Sequence, residues 1–96
     1  MITGKLSNGF EVTVDKTKIK TYRFQKLIGL SASKDDEEKI YASSQILSYL
    51  IGKEGEEALI NHIESQTKKE ATSDEVSGYI VEIINLMKED DEIKKS

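Results

Sequence analysis

Few side chains in this sequence have the type and spacing that catalysis or metal binding requires. His62 is the only histidine and cysteine is absent, so neither a pair of histidine ligands nor a histidine-bridged triad can form within one chain. His62 lies at the edge of an apolar stripe, which favours a structural or surface role. Acidic residues cluster at 35–38 and at 89–92, but neither run has the alternating ligands and central glycine of an EF-hand loop. We therefore predict solvated acidic faces, with no metal site, no cofactor, no catalytic residue and no enzymatic activity.

Basic residues alternate with aromatic ones in the first third of the chain, a pattern that can bind nucleic acid. The residues concerned are Lys16, Lys18, Lys20, Arg23 and Lys26, with Tyr22 and Phe24 between them. Such a strip could track phosphates while the aromatic rings stack on bases. Against this interpretation stand the isoelectric point of about 5.0, the single arginine and the expected burial of Phe24 in the core. A small nucleic-acid-binding or regulatory protein is therefore the alternative function.

The length, composition and charge of the chain predict one acidic domain covering residues 1–96. Of its 96 residues, 36% are hydrophobic and 33% are charged. No run approaches the roughly 20 apolar residues of a membrane span, and the first residues lack the pattern of a signal peptide. We expect a cytoplasmic protein without a membrane partner.

Charge is divided unevenly along the chain. Residues 1–34 carry seven basic and two acidic side chains, whereas residues 35–96 carry seven basic and sixteen acidic ones. A basic end and an acidic end on one chain attract each other between copies, which favours self-association over nucleic-acid binding.

The strongest helical pattern covers residues 73–88. Apolar residues recur there at the spacing of one helix face, namely Val76, Tyr79, Ile80, Ile83, Ile84 and Met87. Thr72 or Ser73 can cap this helix, and Asp74 and Glu75 lie in its first turn, where the helix dipole favours negative charge.

The apolar face of this helix is wider than an ordinary amphipathic stripe of about 100°. At about 100° per residue, the stripe from Leu86 round to Ile84 covers about 160°, and Val81 extends it to about 220°. Either the rest of the chain covers this helix on two sides, or one edge contacts another protein. The candidate edges are Val81 on one side and Leu86 with Tyr79 on the other, so Tyr79, Val81 and Leu86 are the candidate partner-binding residues.

The remaining patterns predict an α+β protein, with an N-terminal β-hairpin followed by a bundle of about four helices. The hairpin covers residues 2–14, and the helices cover 22–28, 34–51, 54–66 and 73–88. A charged tail at 89–96 is expected to fray. In the hairpin, a three-residue Ser7-Asn8-Gly9 loop with Gly9 in a left-handed conformation places all the apolar side chains on one face.

Three segments in this order resemble the small tail assembly chaperones of long-tailed bacteriophages. They are LSNGFEV at 6–12 in the hairpin, LIGKEGEE at 50–57 between two helices, and SDEV with IVEII at 73–76 and 80–84 in the last helix. The resemblance covers most of the chain. It implies a non-enzymatic protein that binds the tape measure protein, assists assembly of the tail tube protein around it and self-associates. It also implies that the protein acts in the cytoplasm of the host cell.

Overall fold

The chain folds as an antiparallel β-hairpin followed by three α-helices. The computed structural model describes the backbone of residues 1–95 and the side chains of residues 1–88. In chain order the elements are β1 (Ile2–Lys5), β2 (Glu11–Val14), a 3-10 helix (Lys16–Lys20), α1 (Tyr22–Ser31), α2 (Asp36–Thr67) and α3 (Ser73–Lys95). The mostly helical α+β class predicted from the sequence is therefore correct. Helix α3 was predicted to end at residue 88, but its backbone continues to Lys95. The side chains of the tail that was predicted to fray, 89–96, lie outside those described.

The hairpin has the predicted register. Strands β1 and β2 pair antiparallel, with Ile2 opposite Val14 and Gly4 opposite Val12. The backbone N–H of Leu6 donates to the carbonyl of Phe10 at 2.9 Å, which closes a loop of three residues. Gly9 ends this loop with a φ of 87°, a left-handed value that glycine adopts without steric cost. This is the register that was predicted from the requirement that all the apolar side chains of the hairpin lie on one buried face.

The predicted bundle of about four helices is not matched, because the segments predicted at 34–51 and 54–66 form the single element α2. Gly52 has φ 78° and ψ 165°, which are not helical values, so α2 is kinked at that residue. The helix resumes directly beyond Gly52 without an intervening loop. Gly52 therefore interrupts the helical backbone where the sequence predicted a helix end, and α2 consists of two helical segments joined at that kink.

We expect the substitution Gly52→Ala to lower the free energy of unfolding by about 1–3 kcal/mol, because glycine is almost the only residue that adopts this backbone region. Gly29 is the matched control. It lies inside α1, and a Cβ there would have no heavy atom within 4 Å. Gly29→Ala should leave stability unchanged or raise it by about 0.5–1 kcal/mol. Urea denaturation of the two variants measures the difference, and equal losses would contradict the strain at Gly52.

A single hydrophobic core joins the hairpin to the helices. Its buried members are Leu6, Val12 and Val14 from the hairpin, Phe24 from α1, Ile46, Leu47, Leu50, Leu59 and Ile63 from α2, and Ile80, Ile83 and Met87 from α3. A two-stranded hairpin is only marginally stable in water. Burial of its apolar face against the helices supplies the missing stabilisation.

The hairpin loop is also held by hydrogen bonds from α2. The carbonyl oxygen of Asn8 accepts from Nε2 of His62 at 3.0 Å and from Nε2 of Gln66 at 2.9 Å. Because a carbonyl can only accept, Nε2 of His62 carries the proton. The His62 ring also lies 5.5 Å from the ring of Phe10, centroid to centroid. The single histidine therefore has a structural role in fastening the loop.

Helix α3 begins with a capping box. Oγ1 of Thr72 accepts from the backbone N–H of Glu75 at 3.2 Å, and a carboxylate oxygen of Glu75 accepts from the backbone N–H of Thr72 at 3.1 Å. These two bonds satisfy backbone donors that the first turn of a helix leaves unpaired. The start of α3 is thus determined locally, as its sequence predicted.

Candidate protein-binding surfaces

The three residues predicted to bind a partner do not form one surface. Val81 is 56% exposed, whereas Tyr79 and Leu86 are half-buried and pack against the core. At about 100° per residue, Tyr79 and Leu86 lie within about 20° of each other on α3, and Val81 lies about 140–160° away from both. Val81 is therefore the member of the set whose side chain is available to another molecule.

The Leu86 edge of α3 packs against the hairpin. A Cβ on Gly4 would lie 2.8 Å from Cδ1 of Leu86, so the strand and the helix approach closely at this point. One turn away, the carboxylate of Glu82 accepts two hydrogen bonds of 2.7 Å from the backbone N–H and the hydroxyl of Ser7. This edge has a partner within the chain, which accounts for part of the unusual width of the apolar face.

Four further large apolar side chains are exposed outside α3, apart from the N-terminal Met1. They are Tyr22 at 72%, Tyr41 at 60%, Ile40 at 53% and Ile28 at 36%. Ile40 and Leu47 are seven residues apart and so lie on the same face of α2, but only Leu47 is buried. Residues 34–41 are all exposed, so the first turns of α2 extend past the core. Periodicity identifies a face but does not show how far along a helix the covering elements reach.

A groove of about 670 Å³ lies between α1 and α2 on the outside of the molecule. Its lining residues are Tyr22, Arg23, Lys26, Leu27, Leu30 and Tyr41. The lining therefore combines aliphatic and aromatic side chains with two cations and includes no carboxylate. The volume and the lining of this groove are typical of a site that binds an apolar group with a negative charge beside it.

The basic strip predicted as a nucleic-acid site is only partly available. Nζ of Lys18 donates to the carbonyl of Tyr49 at 2.8 Å and lies 4.9 Å from the centroid of its ring. Phe24 is only 5% exposed, so it cannot stack on a base, whereas Tyr22 is exposed. The continuous alternation of cations and stacking rings seen in the sequence is thus broken in the structure.

Within residues 1–88, the histidine and acidic side chains considered for catalysis or metal binding form no metal-binding group, and some of them make local structural hydrogen bonds. Among the residues described, no group of three or more histidine, cysteine, aspartate or glutamate side chains could hold a metal ion. In the acidic run at 35–38, Oδ1 of Asp35 accepts from the backbone N–H of Glu37 at 3.0 Å and caps α2. This run has the local structural role expected of carboxylates at a helix start.

Within the described part of the chain, no helix combines the length and the apolar character needed to cross a membrane.

No protein-family model, curated protein or solved structure matches the chain.

Proposed function

We propose that this protein is a non-enzymatic tail assembly chaperone of a long-tailed bacteriophage. In this role it binds the tape measure protein and assists assembly of the tail tube through protein–protein contacts in the cytoplasm of the host cell. The observation that carries the proposal is the exposure of Val81 on α3, next to the buried residues Ile80 and Ile83. The resemblance of the three sequence segments supplies the identity of the client.

The free energy available from burying one exposed side chain favours binding through many weak contacts over binding at one strong site. Complete burial of a valine or leucine side chain stabilises a complex by about 1.5–3 kcal/mol, and Val81 is already partly covered. One such contact holds a client weakly, but several copies along a long helical client raise the overall affinity through avidity. The net charge of −4 keeps a protein with exposed apolar side chains in solution. Self-association, which the division of charge along the chain favours, would bring these copies together.

Co-expression with a tape measure protein of a long-tailed bacteriophage tests the proposal. We expect the soluble fraction of the tape measure protein to rise several-fold over its expression alone, and we expect the two proteins to purify together. An unrelated acidic domain of similar size is the control for general solubilisation. A tape measure protein that stays insoluble and does not purify with this chain would contradict the proposal.

A further inference from the structure

We propose that the groove between α1 and α2 is one half of a twofold dimer interface and that it receives the first turns of α2 from a second copy of this chain. The inference deepens the self-association included in the proposed function and rests on the proposed function in that respect alone. The observations behind it are the exposure of residues 34–41 and the basic and apolar lining of the groove.

The segment that would enter the groove is exposed and amphipathic. Residues 34–41 are all exposed, and Ile40 and Tyr41 keep 53% and 60% of their surface accessible. Glu37 and Glu38 precede Tyr41 by four and three residues, so all three lie on one side of the helix. The segment therefore presents carboxylates beside an aromatic ring.

The groove has the complementary chemistry. Arg23 and Lys26 are its charged lining residues, and Tyr22, Leu27 and Leu30 supply its apolar lining. Opposite charges across an interface set orientation and exclude wrong partners. A basic helix would meet unpaired cations here, whereas the acidic start of α2 would meet their counter-ions.

A twofold axis would align the groove of each copy with residues 34–41 of the other copy. Tyr41 lines the groove and also belongs to the exposed segment, so a twofold axis beside it makes each copy both donor and acceptor of the contact. If the two α2 helices run antiparallel about this point, Glu37 of the second copy lies opposite residue 45 of the first. The start of α1 lies within about one helical turn of this level, because Oγ1 of Thr21 is 3.0 Å from the hydroxyl of Tyr49. Glu37 of the second copy would thereby face the part of the groove that contains Arg23 and Lys26.

The exposed area indicates a weak dimer. An aromatic side chain buries about 150–250 Å² when it is fully covered, and Tyr22 and Tyr41 are 72% and 60% exposed. Four such tyrosines from two copies correspond to a small interface, below about 1,200 Å². We therefore expect a dimer that dissociates on dilution.

Sedimentation velocity of paired charge-reversal variants tests the inference. The wild-type chain should pass from dimer to monomer over a roughly hundredfold range of dilution. The double variants Arg23→Glu with Lys26→Glu, and Glu37→Lys with Glu38→Lys, should each dimerise at least about tenfold more weakly. Mixing the two should restore the dimer, because each groove then meets a segment of opposite charge. Lys53→Glu, an exposed reversal outside the groove, is the control and should dimerise like the wild type.

The proposal is overturned if the wild-type chain is monomeric throughout, if both reversed variants dimerise normally, or if mixing them restores nothing. Circular dichroism establishes that each variant is folded. A monomeric chain that binds single-stranded DNA with an affinity falling steeply with salt would assign the cations to nucleic acid instead. Client solubilisation is measured separately by co-expression, so loss of the dimer does not by itself contradict the proposed function.

Discussion

Replacing Phe24 with alanine is expected to lower the free energy of unfolding by about 3–5 kcal/mol, the usual cost of deleting a buried aromatic ring. Phe24 is the buried residue of α1 and belongs to the core shared by the hairpin, α2 and α3. Its removal leaves a cavity where α1 packs against the core. The measurement is the midpoint and slope of urea denaturation.

Tyr22→Ala, two residues earlier in α1, is the matched control. Tyr22 is 72% exposed, so its loss should change the free energy of unfolding by no more than about 0.5 kcal/mol. If the substitution at Tyr22 cost as much as that at Phe24, the assignment of the two faces of α1 would be wrong. The pair also bears on the alternative function, because a base-stacking residue must be one that can be removed without unfolding the chain.

Changing Val81 to glutamate is expected to abolish client binding while the free energy of unfolding stays within about 0.5 kcal/mol of the wild type. The side chain is 56% exposed, so the new carboxylate remains hydrated in the free protein. In a complex it would be buried against an apolar client and left without a partner, which costs several kcal/mol. Thermal melting and co-purification of the tape measure protein measure the two quantities.

Leu86→Glu is the informative comparison because it makes the same change on the opposite side of α3. Leu86 packs against the core and approaches Gly4 of the hairpin. We therefore expect this variant to lose about 2–4 kcal/mol of stability through lost packing and burial of a charge. Equal losses of stability in the Val81 and Leu86 variants would mean that Val81 belongs to the core and not to the binding surface.

Local rules were enough to predict the hairpin and the start of α3. In the hairpin, a register one residue away would mix apolar and charged side chains on both faces, so the pattern allows one solution. At α3, the spacing of Thr72 and Glu75 is that of a capping box, which forms from residues within a single turn. Both features depend on contacts close in sequence.

Gly52 interrupts the helical backbone as the sequence predicted, but the absence of a loop after it was not predicted. Glycine ends helices and also permits kinks within them, because both require a backbone conformation with positive φ. The choice depends on whether the chain beyond it returns to the helical path at once, which is a matter of tertiary packing. The sequence therefore predicted two separate helices where the structure has the single kinked element α2, which gives three helices in place of about four.

The candidate sites depended on contacts between distant residues, which periodicity does not report. The wide apolar face of α3 was consistent with a partner on either edge. The contact between Gly4 and Leu86 joins opposite ends of the chain and assigns one edge to the hairpin. The exposure of Ile40 and Tyr41 depends in the same way on where the covering elements stop. Neither result follows from the local spacing of apolar residues.

The soluble fraction of the tape measure protein, co-expressed with either the wild-type chain or the Val81→Glu variant, tests the central claim most directly. The claim is that an exposed apolar side chain on α3 contacts a protein client. We predict that the wild-type chain raises the soluble fraction and that the variant, although equally folded, does not. An equal rise with both chains would contradict the claim.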